Sequence, residues 1–329
     1  YAEMRQSSLT AYYTDPEIIR SIYLHLEKQG FKGGRILDPA MGTGNFFSAM
    51  PADLRDNSQL YGVELDSLSG AIAKQLHPDT DVKVQGFETT AYNDKSFDLV
   101  IGNVPFADFS IMDDKYGKPY AIHDYFFKKS MDLVRDGGVV AFITSTWTMN
   151  KKSTQFRNEL NGIASFVGGV RLPNDAFKHI AGTDVATDIL FFKKGEYAHT
   201  IDNWIDTAPI PNPSGGVLEG VVSNDYFTDL DKVAGQYITK NFHGKTLSVA
   251  PFDKPLIKQV DKILDNQSFT FDSDLSSYDV SVEDETSSSR LDIATLPEEV
   301  LNLEPQSHII VDRKIYFNDG IDGIVEKNK

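Results

Sequence analysis

The sequence has no cysteine, which excludes disulfides, thiolate metal sites and a cysteine nucleophile, and fits a cytoplasmic protein. Its seven histidines are scattered without metal-ligand spacing, so no metal is expected. No run approaches the roughly 20 apolar residues of a membrane span, and no basic-then-apolar leader opens the chain. A membrane role is therefore not expected. Positive charge is scarce as well: 32 Lys and Arg stand against 48 Asp and Glu, a net of −16. That sum is unfavourable for holding a polyanion, which requires concentrated positive potential. The deficit is uneven. Residues 1–195 carry 21 basic and 24 acidic residues, a net of −3, whereas residues 196–329 carry 11 and 24, a net of −13. In its plainest reading the acidic second part confers solubility. The chain opens on Tyr1 rather than methionine, and is read as a trimmed or processed piece of something longer.

At 329 residues and 40% hydrophobic content, there is room for one large α/β domain and a smaller unit. Residues 15–30 read as a helix: Asp15 caps it, Pro16 suits its first turn, and Ile18, Ile19, Ile22 and Leu26 share one face. Further helical segments are expected at 45–50, 66–77 and 124–135. Strands are expected at 35–38, 60–64, 97–101, 139–145, 167–172 and 186–193. Alternation of short apolar strands with helices predicts a doubly wound, mostly parallel sheet. The last two strands lack an intervening helix, which predicts a terminal antiparallel pair. DTAPIPNPSGG (residues 206–216) reads as a linker, residues 268–290 as a mobile acidic loop, and residues 308–320 as a β-hairpin. The expected division is residues 1–200 and an acidic accessory region over 201–329.

Two motifs carry most of the chemistry. DPAMGTGNFF (residues 38–47) runs from the strand RILD into a glycine turn and a helix, where Gly42 and Gly44 allow close backbone approach to a ligand. DLVIGNVPF (residues 98–106) is a second strand, ending in an asparagine, a proline and an aromatic. Both sit at the carboxyl ends of expected parallel strands, where open α/β sheets bind ligands. A glycine turn alone also suits phosphate and flavin sites. Glu64 ends the next strand about 20 residues beyond the turn, where an acidic side chain accepts from ribose hydroxyls. Asp66 competes for that role but suits a helix cap better.

Together these motifs resemble those of the N6-adenine DNA methyltransferases. The resemblance covers residues 11–194 and implies a Rossmann-like S-adenosylmethionine-dependent sheet whose final hairpin inserts an antiparallel strand. It implies S-adenosylmethionine as cofactor, held by Tyr13 and Thr14 of AYYTDP, by Asp38, Pro39, Ala40, Gly42, Gly44 and Asn45, and by Glu64, Phe87 and Asn103. It implies catalysis by Asn103, Val104, Pro105 and Phe106. The Asn103 side-chain oxygen and the Val104 carbonyl would accept the two amino hydrogens of adenine and turn its nitrogen lone pair outward. Phe106 would stack on the extruded base. The family pattern is Asn/Asp-Pro-Pro-aromatic, and Val104 replaces its first proline. In VQGFETT (residues 84–90), Gly86 stands where relatives carry an aspartate for the cofactor's adenine, and Glu88 is either a substitute or a solvent-facing residue. Lys151, Lys152 and Arg157 form a compact basic group, read either as DNA phosphate contacts or as a solvated helix face.

GNVPF, IHDYFF and NDAFKHIAGTDVATDILFFKK also look like a subgroup found in very large mobile-element proteins beside helicase-like domains. Further domains of a longer polypeptide are then expected partners alongside DNA. The alternatives in function are methylation of an RNA base or a protein glutamine, and a catalytically inactive domain that binds nucleic acid or a partner.

Overall fold

A computed structural model describes residues 14–107, 109–177, 186–195, 201–241 and 245–271, together with the backbone of three strands between residues 307 and 327. The first described element forms as its sequence dictates. Asp15 accepts a hydrogen bond from the Glu17 N–H at 2.8 Å, Pro16 occupies the first turn, and helix α1 (Pro16–Lys28) follows. Its Ile18, Ile19, Ile22 and Leu26 are all buried.

The central sheet is laid down in chain order by β1 (Gly34–Asp38), β2 (Ser58–Glu64), β3 (Asp81–Val84) and β4 (Phe97–Asn103). A short hairpin of β5 (Ser110–Met112) and β6 (Pro119–Ala121) intervenes before β7 (Val134–Ser145), β8 (Ala164–Leu172) and β9 (Thr187–Lys194). The seven sheet strands lie in the order β3-β2-β1-β4-β7-β9-β8. The first five run parallel, and β9 inserts antiparallel between β7 and β8. The doubly wound sheet and its terminal antiparallel pair are thus present.

The helices between strands are α2 (Asn45–Ser48), α3 (Ala52–Asp56), α4 (Ser67–Leu76), α5 (Ile122–Leu133), α6 (Trp147–Asn150) and α7 (Gln155–Asn161). Asp66 caps α4, accepting from the Ser69 N–H at 2.8 Å. The sheet is buried on both faces. Ile36, Leu99, Ile101, Val139, Ile143 and Phe191 face one apolar layer with α1; Leu37, Val100, Val140, Phe142, Leu190 and Phe192 face another with α5. Burial on both sides is what makes these strands nearly continuous apolar runs. Among the described residues, no helix is long and apolar enough to cross a membrane.

The chain clusters into two compact units, Tyr1–Tyr278 and Asp279–Lys329. The boundary expected near residue 200 therefore falls inside the first unit. Residues 206–216 are not a linker: Thr207–Pro211 forms β10, paired antiparallel with β11 (Val217–Asn224). A two-stranded ladder with an irregular register between Pro209 and Pro211 tolerates proline, since the ladder is already broken there. Beyond it lie the hairpin β12 (Gly235–Asn241) and β13 (Lys245–Pro251), then helix α8 (Leu256–Asp265). Trp204, Tyr226 and Phe227 join the α5 layer, while Val260, Ile263 and Leu264 of α8 join the α1 layer. Phe269 and Phe271 are buried beside Phe191 and Phe31, so the acidic segment expected from residue 268 begins as core. Its remainder, residues 272–290, lies outside the described residues. In the second unit, β14 (Ser307–Val311), β15 (Lys314–Asn318) and β16 (Ile324–Lys327) form an antiparallel sheet, giving the expected hairpin and one further strand.

Arg171 joins these parts. Its guanidinium pairs bidentately with Asp188 at 2.7 and 2.8 Å, both side chains being 0% exposed. It also donates to Ser223 Oγ (2.5 Å) and the Tyr237 hydroxyl (3.1 Å). Arg171→Ala leaves a buried carboxylate without its partner, which typically costs about 3–5 kcal/mol. Chemical denaturation should show that loss, and an unchanged midpoint would mean that the pair does not hold the fold.

Candidate active site

Strand order reverses between β1 and β4, which opens a crevice at their carboxyl ends. The strands around it end in Asp38, Glu64 and Asn103. Between β1 and α2 the chain makes a tight turn. The Met41 N–H donates to the Val63 carbonyl at 2.9 Å and the Gly44 N–H to the Met41 carbonyl at 2.8 Å. Gly42 and Gly44 have φ of 56° and 93°, in the left-handed region that favours glycine. A Cβ on Gly42 would meet nothing within 4 Å among the described residues, so that side of the turn is open. One on Gly44 would lie 2.3 Å from His77 Nε2. His77, buried at the end of α4, thus packs under the turn; nothing in the sequence pattern pointed to it.

Asp38 is buried, and its Oδ1 accepts from the Ala40 N–H at 3.1 Å. Its Oδ2 has no hydrogen-bond partner among the described residues. Burial pushes its pKa up to about 8, with the Ala40 hydrogen bond opposing and the nearby Glu64 charge adding to the rise. A Cβ on Gly102 would come within 2.6 Å of Asp38 Oδ1, so Gly102 makes room for this carboxyl. Glu64 is held by two backbone donors: Gly42 N–H to Oε2 at 2.8 Å and Asp66 N–H to Oε1 at 2.7 Å. Burial raises the Glu64 pKa while those bonds lower it. Each oxygen retains a lone pair for a further donor. Pro39 is buried and Ala40 and Asn45 are half-buried around the same turn.

At the end of β4, Asn103 Nδ2 donates to Thr14 Oγ1 at 3.1 Å. The Val104 side chain is buried in the α5 layer, and its N–H donates to the Ile143 carbonyl of β7 at 3.0 Å. Burial and that bond supply the rigidity that a proline at this position would otherwise give. Pro105 and Phe106 are half-buried, and Phe106 packs against the α1 layer. Tyr13 lies outside the described residues.

The model of the N-6 DNA Methylase family matches residues 1–208. This chain belongs to that family. It is 29% identical over 193 residues to "Defense against restriction protein B" of Escherichia phage P1, covering 57% of this chain and 8% of that protein. It is 25% identical over 230 residues to the type I restriction enzyme EcoEI methylase subunit of Escherichia coli, covering 61% of this chain and 45% of that subunit. The chain thus spans less than half the length of either relative. A type I restriction-modification methyltransferase subunit from Streptococcus thermophilus shares the fold, with a TM-score of 0.50 and 17% identity over 77% of this chain and 52% of that one.

Other residues singled out for the N-6 DNA methylase site divide by environment. Phe87 is buried, its ring centroid 5.1 Å from that of Phe126 and 6.1 Å from that of Tyr125. Its ring serves to hold the turn Phe87–Thr89 onto α5. Lys129 completes that hold, donating to the carbonyls of Phe87 (2.7 Å), Glu88 (3.2 Å) and Thr90 (3.1 Å). A lysine within an otherwise amphipathic helix gave no signal of this. Glu88 is half-buried, and a Cβ on Gly86 would lie 2.2 Å from its Oε1. Its carboxylate therefore folds back over Gly86 instead of facing away. The basic group disperses. Arg157 is 1% exposed and donates to the carbonyls of Ile205 (2.6 Å), Lys151 (2.8 Å) and Thr148 (3.3 Å), so it does not face phosphate. Lys151 pairs with the buried Asp124 at 2.6 Å, and Lys152 is exposed.

Because folded Asp38 titrates near 8 against an ordinary 3.8, the folded protein holds a proton that the unfolded chain releases between those values. The resulting stability is full below about pH 4 and is lost as pH rises through about 8. Asp38→Asn cannot lose that proton, so its stability advantage over the wild type should grow across this window when both are denatured without ligand. Parallel pH profiles would mean that Asp38 is ionised in the folded protein.

Proposed function

We propose that this chain transfers a methyl group from S-adenosylmethionine to the N6 amino group of adenine in DNA. The observation that carries this reading is the Asn103 amide, pinned by Thr14 at the end of β4 beside the glycine turn of β1. The residues fit the cofactor. Asp38, with a buried carboxyl oxygen lacking a partner among the described residues, suits an ammonium group. Glu64, fixed by two backbone donors, suits a ribose diol. The open side of Gly42 admits the ligand. The two acidic side chains at this turn offer acceptor oxygens, which suit an ammonium and a diol better than a phosphate or pyrophosphate.

When bound, S-adenosylmethionine supplies an electrophilic methyl on its sulfonium. An exocyclic amine conjugated to a purine is a weak nucleophile, because its lone pair is delocalised into the ring. The Asn103 side-chain oxygen and the Val104 carbonyl accept its two hydrogens, which localises and orients that lone pair. No strong base is needed: positive charge builds on nitrogen during transfer and the surplus proton leaves afterwards. Orientation and fixed dipoles therefore supply most of the acceleration. Phe106 offers a face to a base that has left the duplex. With a net charge of −16, part of the grip on DNA falls to polypeptide beyond these residues or to a partner.

Asn103→Ala should abolish methyl transfer to adenine-containing DNA, read with labelled cofactor, while calorimetry shows unchanged cofactor affinity. Thr14→Val should lower turnover more than cofactor affinity, since it releases the amide. Glu64→Ala should weaken cofactor binding by about ten- to a hundredfold, the value of a charged hydrogen bond. Near-normal turnover in Asn103→Ala would reject the mechanism, and labelling of RNA or protein but not DNA would reject the substrate.

A further inference from the structure

The turn after β7 holds one exposed indole on an otherwise buried scaffold. In α6, Thr148 and Met149 are buried and Asn150 is half-buried, whereas Trp147 is 65% exposed. The scaffold is tied from several directions. The Thr148 hydroxyl lies 3.2 Å from that of Thr144, and the Thr148 carbonyl accepts from Arg157. Asn150 Oδ1 accepts from Arg171 Nη2 at 3.1 Å and from the Asn224 N–H at 2.9 Å. Two buried guanidinium groups thus hold the residues that follow the indole. The other tryptophan of the chain, Trp204, is buried.

The place of this indole is as informative as its exposure. In the sheet, Asn103 of β4 registers with Ile143 of β7, and the Val104 N–H bonds the Ile143 carbonyl. Trp147 follows Ile143 by four residues, so it stands on the same carboxyl edge as the loop of Asn103 to Phe106. Lys152, five residues further on, is exposed and offers a charge suited to phosphate.

We propose that Trp147 is a stacking platform for an unpaired base of the DNA, adjacent to the base presented to Asn103. This rests on the methylation reading above. The backbone that carries the indole is held in place, so little of it must be ordered on binding, and an indole stacks on any base regardless of sequence. The platform therefore keeps opened DNA in register without reading its sequence.

The test uses a short adenine-containing single-stranded oligodeoxynucleotide at low salt, followed by tryptophan emission, with methyl transfer from labelled cofactor measured on the same samples. In the wild type the oligonucleotide should quench emission; in Trp147→Phe, which retains only Trp204, it should not. Trp147→Ala should weaken DNA binding about tenfold, raise the KM for DNA more than it lowers kcat, and leave cofactor affinity unchanged. Trp147→Phe should recover most of that loss by stacking in its turn. If Trp147→Ala binds and methylates DNA like the wild type, the platform is overturned and the methylation reading stands. If the wild type shows neither quenching nor methyl transfer with DNA, the methylation reading falls, and the platform with it.

Discussion

The buried pair of Arg171 and Asp188 is the constraint on which the rest of the first unit depends. The two residues face one another in register on β8 and the inserted strand β9. Their guanidinium and carboxylate meet two-on-two out of water, with the Phe227 ring centroid 4.2 Å from the guanidinium carbon. Well-packed apolar residues often equal such a pair in stability, so raw stability is a poor account of it. Directionality is a better one. A one-residue slip of β9 would turn every side chain to the opposite face and bring a charge against an apolar layer. The remaining donors reach Ser223, Tyr237 and Asn150, so one side chain sets strand register, seats residues beyond 200 and anchors the turn beside the loop of Asn103 to Phe106.

The crevice works by the opposite electrostatic logic. Arg171 and Asp188 satisfy each other, whereas Asp38 and Glu64 are two acids that burial pushes toward neutrality. Their environment favours a ligand with a positive group for one and hydroxyl donors for the other. A glycine turn with φ above zero is common to many nucleotide sites. The acceptor oxygens around this turn, more than its backbone, suit an ammonium and a diol.

What was legible in the sequence was whatever local chemistry determines. Asp15 and Asp66 cap helices because their short carboxylates reach N–H groups two or three residues on, and the consecutive strands β8 and β9 foretold an antiparallel insertion. What was not legible was set by partners distant in sequence. Arg157 reads as a surface charge beside Lys151 and Lys152 until Ile205, 48 residues away, accepts from it. Pro209 and Pro211 read as a linker, yet Val222 and Val217 pair with them. Lys129 reads as one more charge on a helix, although its ammonium gathers three carbonyls from a turn about 40 residues earlier. His77 packs beneath Gly44, 33 positions before it, and no spacing rule connects them.

Val104 shows how a departure from a motif is absorbed. A proline there would restrict the loop through its ring but would have no N–H to donate. Valine restores the donor, and the structure uses it to bind the loop to Ile143. The stiffening thereby passes from a covalent ring to a bond between strands, and the valine side chain adds burial in the α5 layer. This ties the end of β4 to β7, whose continuation is the turn held by Thr144, Arg157 and Arg171. The carbonyl at this position is the same with valine as with proline, because it belongs to the backbone.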